Sequence, residues 1–577
     1  MYKKLFLAAA IMGTCLVAEA QSTAPTYKGN SYNNPISPCV FCADPTAIEY
    51  NGRMYVYGTN DHQQFIKNGK KNSNGYGDIK SIVVFSSDDM VNWTFHGTID
   101  VGKICSSWGW RFAASWAPSV VWRTLDDGTE EFFLYFANSG GSVGVLKANS
   151  PVGPWKSPLS KPMIDGDTPG VRPCHWIFDP GVIIDDEGTG WIGFGGGDPQ
   201  DHGTDLQPNN ARFAKLKPSM TAIEGEAVKI PAPYHFEASE LNIMNGHFVY
   251  TYCSSWAERK DADWNAYKAE HGIGLPKPGS CTMCYMVSDT PMTPDSWTYM
   301  GVYGPHPGFP SPNNHSHLHK FQGEYYYFYH WGALMKSMQD ANAIDSSCDG
   351  YRSICVNKAS VYEVTPNISP VTQDLNGVTS IRNMDPYQLQ QAETMANSGG
   401  IGYEDFSNTE KKTLFSTLGN DASGNLQVQM RAGSWISQRG IDFGDSGATK
   451  YTLRAKGTGT LEIHIGSVFV PAAATIEFSS AEMEDHTIEL NASRFKGKKN
   501  IWFVVSSADN FYVDAWQFTE AGADGIEDIA DSQPAARRTY DLSGRHLSGP
   551  QSQHGILIEQ YTDEKGVSHS RKMIKTR

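Results

Sequence analysis

The chain has 577 residues, which points to more than one domain, and its 12% aromatic content with 56 Gly and 31 Pro suits many short strands and turns. A formal net charge of −15 argues against a nucleic-acid partner, which would need a basic face. An uncharged polymer such as a polysaccharide meets no electrostatic objection.

Residues 1–20 read as a secretory signal: Lys3-Lys4, an apolar run from Leu5 to Val17, and Ala18-Glu19-Ala20 as a small-residue cleavage site. The apolar run is too short for a membrane span, and no later stretch is long and apolar enough for one. The expectation is an exported protein, secreted or held in the periplasm or at the cell surface of a bacterium.

From residue 30 to 368 one plan recurs five times. Asp44-Pro45 leads through a short apolar strand to Asn51-Gly52 and the returning strand Arg53-Met54-Tyr55-Val56-Tyr57. Trp116-Ala117-Pro118 leads to Asp127-Gly128, and Asp179-Pro180 to Glu187-Gly188. Glu237-Ala238 leads to Asn245-Gly246, and Asn314-His315 to Gln322-Gly323. Asn-Gly suits a two-residue hairpin because both positions require positive φ. Repetition of this kind predicts a five-bladed β-propeller, in which the first strand of every blade starts at the central channel. Asp44, Asp179 and Glu237 therefore converge. The prolines predict extended backbone at Asp44 and Asp179. Glu240, at odd spacing from Glu237, is expected to face away from the channel.

Insertions at 61–78, 105–110 and 195–210 are predicted as rim loops of the kind that select a substrate, and 257–271 is the best helix candidate. Ten cysteines all precede residue 360. Cys39-x-x-Cys42 with Cys281-x-x-Cys284 has the form of a zinc site, weighed against disulfides, for which Cys348 and Cys355 form a plausible short loop. Beyond a Pro-, Asn- and Asp-rich linker, residues 386–520 alternate apolar and polar positions as a β-sandwich of the jelly-roll type. A tail, 521–577, opens with a small acidic segment and ends in a basic run.

Ala-Asp44-Pro-Thr, Ser-Trp116-Ala-Pro, Phe-Asp179-Pro-Gly-Val, Phe-Glu237-Ala-Ser and Asn-Asn-His315 before an aromatic strand ending in Tyr-His330 resemble glycoside hydrolase family 43, and Phe-Glu-Ala-Ser its arabinoxylan arabinofuranohydrolases. The resemblance implies an inverting hydrolase of arabinose- and xylose-containing polysaccharides, with arabinoxylan or xylo-oligosaccharides as substrate. Asp44 resembles the general base, Glu237 the general acid, and Asp179 the residue that tunes and orients that acid. His315 resembles a channel histidine that contacts calcium in several members, with a hydrogen-bonded core His as the alternative. Arg352 resembles an arginine that reaches substrate, with a structural ion pair as the alternative. Trp116, Trp176 and Trp110 are candidates for stacking on sugar faces. Three activities remain open: α-L-arabinofuranosidase first, then β-xylosidase or a bifunctional enzyme, then a non-catalytic glycan-binding propeller.

Gln390-Gln391-Ala392-Glu393, Gly440-Ile441-Asp442-Phe443-Gly444 and Tyr512-Val513-Asp514-Ala515-Trp516 resemble a family 6 carbohydrate-binding module. That likeness implies a structural calcium held in part by Glu393 and Asp514. Ser479 to Met483 stands where many members carry a sugar-stacking Trp, so glycan binding and a purely structural sandwich both stay open. The tail, through Tyr540-Asp541-Leu542-Ser543-Gly544-Arg545, is similar to secretion-associated C-terminal segments of Bacteroidetes proteins.

Overall fold

The computed structural model describes residues 24–197, 205–257, 259–306, 313–403, 417–420, 424–522, 537–541, 555–562 and 568–575. The expected signal segment, most of the acidic segment and part of the 195–210 insertion lie outside them. Among the described residues no helix is long and apolar enough to cross a membrane.

Five antiparallel sheets form a propeller. Blade one is β1 (Ala43–Tyr50), β2 (Arg53–Thr59), β3 (Ile82–Ser87) and β4 (Trp93–Ile99). Blade two is β5 (Trp116–Thr124), β6 (Glu130–Ala137) and β7 (Val143–Ala148), whose outer edge is covered by bridges from Ile164 and Lys156. Blade three is β8 (Gly181–Ile184), β9 (Gly190–Phe194), β10 (Arg212–Leu216) and β11 (Ile223–Lys229). Blade four is β12 (His235–Met244), β13 (His247–Ser254), β14 (Met283–Ser288) and β15 (Thr298–Gly304). Blade five is β16 (Ser316–Phe321), β17 (Glu324–Trp331) and β18 (Ser353–Ala359).

The inner strands β1, β5, β8, β12 and β16 each touch the next, and β16 returns to β1. The N-terminal segment closes the ring against β18, where Ile36 N–H donates to Ile354 O and Cys42 N–H to Arg352 O, both at 2.9 Å. The predicted turns are present: Asn51 and Gly52 sit at φ 52° and 74°, Asn245 and Gly246 at 50° and 86°. The start of each of these units departs from expectation. Asp44, Ala117 and Asp179, each before a proline, take φ of 49°, 42° and 46° rather than extended values. Strand register slips just after the first and second of them. The proline bias toward extended backbone is weaker than the ring of contacts around the channel mouth, which turns these residues out of the ladder.

A helix occupies Asp261–His271, inside the predicted stretch, with Trp264 and Tyr267 buried. The 61–78 insertion, read as a loop, opens with a helix at Asp61–Asn68 capped by Asn60. Polar composition hid it, because its buried positions are Asp61, His62 and Gln64 rather than an apolar stripe. The cysteine expectations fail. Cys355 is an unbridged thiol in β18, in a different apolar cluster from Cys348. Cys42 and Cys281 also lie in separate clusters, and among the described residues no three His, Cys, Asp or Glu side chains gather as a metal site.

The second domain is a curled sheet built on three long strands, Ala448–Ile465, Ala474–Glu489 and Lys498–Glu520, whose register slips let them bend across both layers of a sandwich. Its residues Thr394–Met395 pair with β4 and add a fifth strand to blade one. The apolar core is continuous across that seam, running from Phe85, Trp93 and Phe95 through Met395 and Leu418 to Phe503. Arg439 reinforces it by donating to Asn33 Oδ1 at 2.6 Å while its backbone pairs both ways with the Asn92 side chain. The tail carries a three-stranded antiparallel sheet, Arg537–Asp541, Gly555–Thr562 and Ser568–Lys575.

A core shared by two domains makes them one cooperative unit. Calorimetry is expected to show a single transition for propeller and sandwich together; two transitions separated by more than about 10 °C, well beyond the shift of a few degrees that one kcal/mol produces, would contradict the shared core.

Candidate active site

Asp44 starts β1 and is buried. Its Oδ1 accepts from Arg352 Nη1 at 2.8 Å and its Oδ2 from Thr59 Oγ1 at 2.7 Å. Its backbone N–H donates to His330 Nδ1 at 3.1 Å, and His330 Nε2 lies 3.0 Å from Asn313 O. With Nε2–H donating to that carbonyl, Nδ1 is the acceptor. Thr59 Oγ1 also accepts from Ala117 N–H at 2.7 Å, joining blade two to the Asp44 carboxylate. Burial alone would raise the Asp44 pKa. The Arg352 charge is the largest influence opposing it, and the carboxyl is held far below the usual range.

Asp179 precedes the inner strand of blade three, two blades on around the ring. Its Oδ2 accepts from Ala238 N–H at 2.9 Å, so blade three grips the residue next to Glu237. The His315 imidazole lies between the two aspartates, with Nδ1 3.7 Å from Asp44 Oδ1 and 4.0 Å from Asp179 Oδ2. Burial, only partly offset by Asp44, lowers the His315 pKa to about 4, so this ring is neutral at neutral pH. Burial and then the Asp44 charge push Asp179 up to about 7. Glu237, half-buried in β12, is raised well above the ordinary glutamate value by burial, then by Asp179 and Asp44. The three acids thus have their proton affinities pushed apart, Asp44 downward, Asp179 up to about 7 and Glu237 well upward.

Glu240 adds to the field on Asp179 but its carboxylate is held by another partner, and strand parity does not account for that. Register slips on both sides of Glu237, and Ala238 sits at φ 62°. The Glu240 carboxylate is fully buried with Oε2 3.2 Å from His317 Nδ1 on β16. Arg352 takes the ion-pair alternative: it is 4% exposed and its donors run to Asp44 and Asp61. Trp116 and Trp176 are half-buried beside Phe178, with Trp116 Nε1 donating to Tyr76 O at 3.1 Å. Trp110 is 85% exposed, with Arg111 stacked on it. Sequence reasoning missed Trp256, 47% exposed and packed edge-on against Phe236 with centroids 4.1 Å apart. It also missed Thr59 and Asp61. Their only sequence signal was position, at the end of the strand that returns from Asp44.

The chain is similar across most of its length to known proteins. Residues 32–358 match the model of glycosyl hydrolases family 43, and residues 391–520 that of the family 6 carbohydrate binding module. It belongs to glycoside hydrolase family 43. The arabinoxylan arabinofuranohydrolase of Bacillus subtilis is 34% identical over 538 residues, 89% of this chain and 98% of that one. The enzyme of the same name from Paenibacillus polymyxa is 34% identical over 517 residues, 85% of this chain and 74% of the other. A crystal structure of a family 43 arabinoxylan arabinofuranohydrolase from Bacillus subtilis, in complex with cellotetraose, superposes with TM-score 0.74 at 32% identity, covering 87% of this chain and all of that one. The protein is therefore a glycoside hydrolase, which removes the non-catalytic propeller as a reading.

Among the described residues no three His, Cys, Asp or Glu side chains gather around the positions expected to hold calcium. Such an ion takes six to eight oxygen ligands, whereas the Asp514 carboxylate has Oδ2 3.2 Å from Arg454 Nε. Glu393 lies at the seam, lining a small cavity with Ile36, Trp93 and Leu418. At the channel, His315 is buried against two aspartates, one of which is already bound by Arg352.

A raised Asp179 pKa means the folded state binds a proton that the unfolded chain has released. Stability contributed at this position is therefore present below about pH 4 and lost as pH rises through about 7. Asp179→Asn is expected to stabilise the fold by ~1–3 kcal/mol at pH 8 and by much less at pH 5, read from denaturant melts. A variant no more stable at pH 8 would mean the carboxyl titrates normally.

Proposed function

We propose that the protein is an exported, inverting α-L-arabinofuranosidase that removes arabinose side chains from arabinoxylan. Asp44 would act as general base, Glu237 as general acid and Asp179 as the group that tunes the acid. The observation that carries this reading is the convergence of three carboxyls from blades one, three and four, of which Asp44 is bound by Arg352 and Thr59 and Asp179 by the backbone beside Glu237. An inverting displacement needs an ionised carboxylate to take a proton from water and a protonated carboxyl on the far side of the sugar to protonate the leaving oxygen. Asp44, paired with Arg352 and hydrogen-bonded by Thr59, stays ionised through the working range. Glu237 keeps its proton because burial and the Asp179 and Asp44 charges oppose its ionisation.

The steps follow from those states. Water held by Asp44 attacks the anomeric carbon as the glycosidic bond breaks; its proton passes to the Asp44 carboxylate, and the Glu237 proton goes to the departing xylan oxygen. Both carboxyls then return to their starting states by exchange with solvent. The neutral His315 ring separates the Asp44 and Asp179 carboxylates without adding charge. Trp110 and Trp256 offer open aromatic faces for a sugar chain, while the sandwich domain, a family 6 module by similarity, supplies a second carbohydrate-directed surface. A β-xylosidase or bifunctional activity is the alternative, since arabinofuranose and xylopyranose present similar hydroxyls. The arabinoxylan activity of the relatives matched over most of their length favours the first reading.

On arabinoxylan, Asp44→Asn and Glu237→Gln are each expected to lower kcat by at least ~10³-fold without loss of fold. Glu237→Gln should recover much of the rate on an aryl arabinofuranoside whose leaving group needs no proton, whereas Asp44→Asn should not. Chromatography of the wild-type products decides the substrate, and xylose in place of arabinose would overturn the arabinofuranosidase assignment.

A further inference from the structure

Helix Asp61–Asn68 opens with an acid that the steps above do not use. Asp61 is completely buried, and both its oxygens are taken by one residue. Oδ2 accepts from the Arg352 backbone N–H at 3.0 Å and from Nε at 2.9 Å, and Oδ1 accepts from Nη2 at 2.9 Å. The remaining terminal nitrogen, Nη1, is the one that reaches Asp44 Oδ1 at 2.8 Å. The guanidinium lies over the Tyr76 ring, 5.1 Å from its centroid. One buried cation is thus gripped on its broad side by Asp61 and presents its last donor to Asp44.

The grip is itself anchored. Asn60 caps the helix through Gln63 N–H. His62 is held on both ring nitrogens, by Phe41 N–H at 3.2 Å and by Tyr403 O of the sandwich domain at 2.7 Å. A residue needed only to neutralise Arg352 would be redundant, because Asp44 already does so. A buried guanidinium with a single partner, however, is neither fixed in angle nor balanced in its effect on the other acids nearby.

We propose that Asp61 is a positioning residue for hydrolysis: it fixes the angle at which Arg352 meets Asp44, and its charge keeps that cation from stripping the proton from the Glu237 acid. The inference rests on the roles proposed above for Asp44 and Glu237. The groups facing Asp61 are Arg352 and Asp44, with the Cys42 thiol and the Tyr351 phenol. Those facing Glu237 are Asp179, Asp44, the Cys281 and Cys253 thiols and Arg352. Arg352 is the one cation in either set, and it favours ionisation of both Asp179 and Glu237. Removing the Asp61 charge leaves the pocket more positive, so the acid should lose its proton at lower pH.

The test is the pH profile of kcat/KM on arabinoxylan for the full mature chain, compared with Asp61→Asn, Asp61→Ser and Asp61→Glu. The neutral variants are expected to lose ~10–100-fold in kcat with the alkaline limb moved acidward by about 0.5–1 unit. Asp61→Glu keeps the charge and is expected to keep the limb, even where its longer side chain slows the reaction. An alkaline limb that stays put in the folded neutral variants, or that moves in Asp61→Glu as well, overturns the proposal. So does failure of both neutral variants to fold while Asp61→Glu folds, which would make the residue purely structural. Full activity of Asp44→Asn or Glu237→Gln would instead remove the roles on which it rests, whatever Asp61 does.

Discussion

The state of the whole pocket depends on one buried guanidinium. Three carboxyls brought together out of water repel one another, and without a cation they would all take up protons. Arg352 selects among them by direction rather than by overall charge. Its Nη1 reaches Asp44 and its other donors are held by Asp61, so Asp44 alone of the three pocket acids receives a full charge-assisted hydrogen bond. Asp179 receives a backbone N–H, and Glu237 is left to burial and the field of its neighbours. An acid–base pair needs this asymmetry, and it comes from donors that neighbouring blades point at Asp44 and Asp179 but not at Glu237.

The geometry that allows it carries a cost in backbone conformation. Residues with a Cβ rarely occupy positive φ, yet Asp44, Ala117, Asp179 and Ala238 do so near the starts of four consecutive inner strands. Each kink frees groups that the strand ladder would have used, and three of the four are answered by a neighbouring blade. Asp44 N–H goes to His330 of blade five, Ala117 N–H to Thr59 of blade one, and Ala238 N–H to Asp179 of blade three. The strain is therefore held by closure of the ring, and the N-terminal segment that pairs with β18 is part of the active site in that sense.

The sandwich domain takes part in the same scaffold. It extends blade one by a strand, shares its apolar core, and holds His62, the neighbour of Asp61, through a backbone carbonyl. A carbohydrate-binding module on a flexible tether would act mainly by raising local substrate concentration. Here the module is fixed to the catalytic domain, so any surface it offers to a glycan keeps a constant relation to the pocket.

Much of this was legible in the amino-acid order. Five apolar–turn–aromatic units with Asn-Gly or x-Gly corners determined the propeller, because turn chemistry and strand alternation are local. An acid at the head of three units determined which carboxyls meet, because all first strands of a propeller share a channel. What tertiary structure alone decided was the state of those acids and the identity of their partners. Asp61 lay in a polar stretch that read as a loop, Arg352 read equally as a substrate contact, and Thr59 had no signal beyond its place in a strand. Proline suggested extended backbone where the ring imposes the opposite, and the Cys348–Cys355 spacing suggested a bridge that the packing separates. Hydrogen bonds, proton affinities and strained dihedrals at a channel mouth are set by groups hundreds of residues apart, and a periodic pattern records only what each strand does within itself.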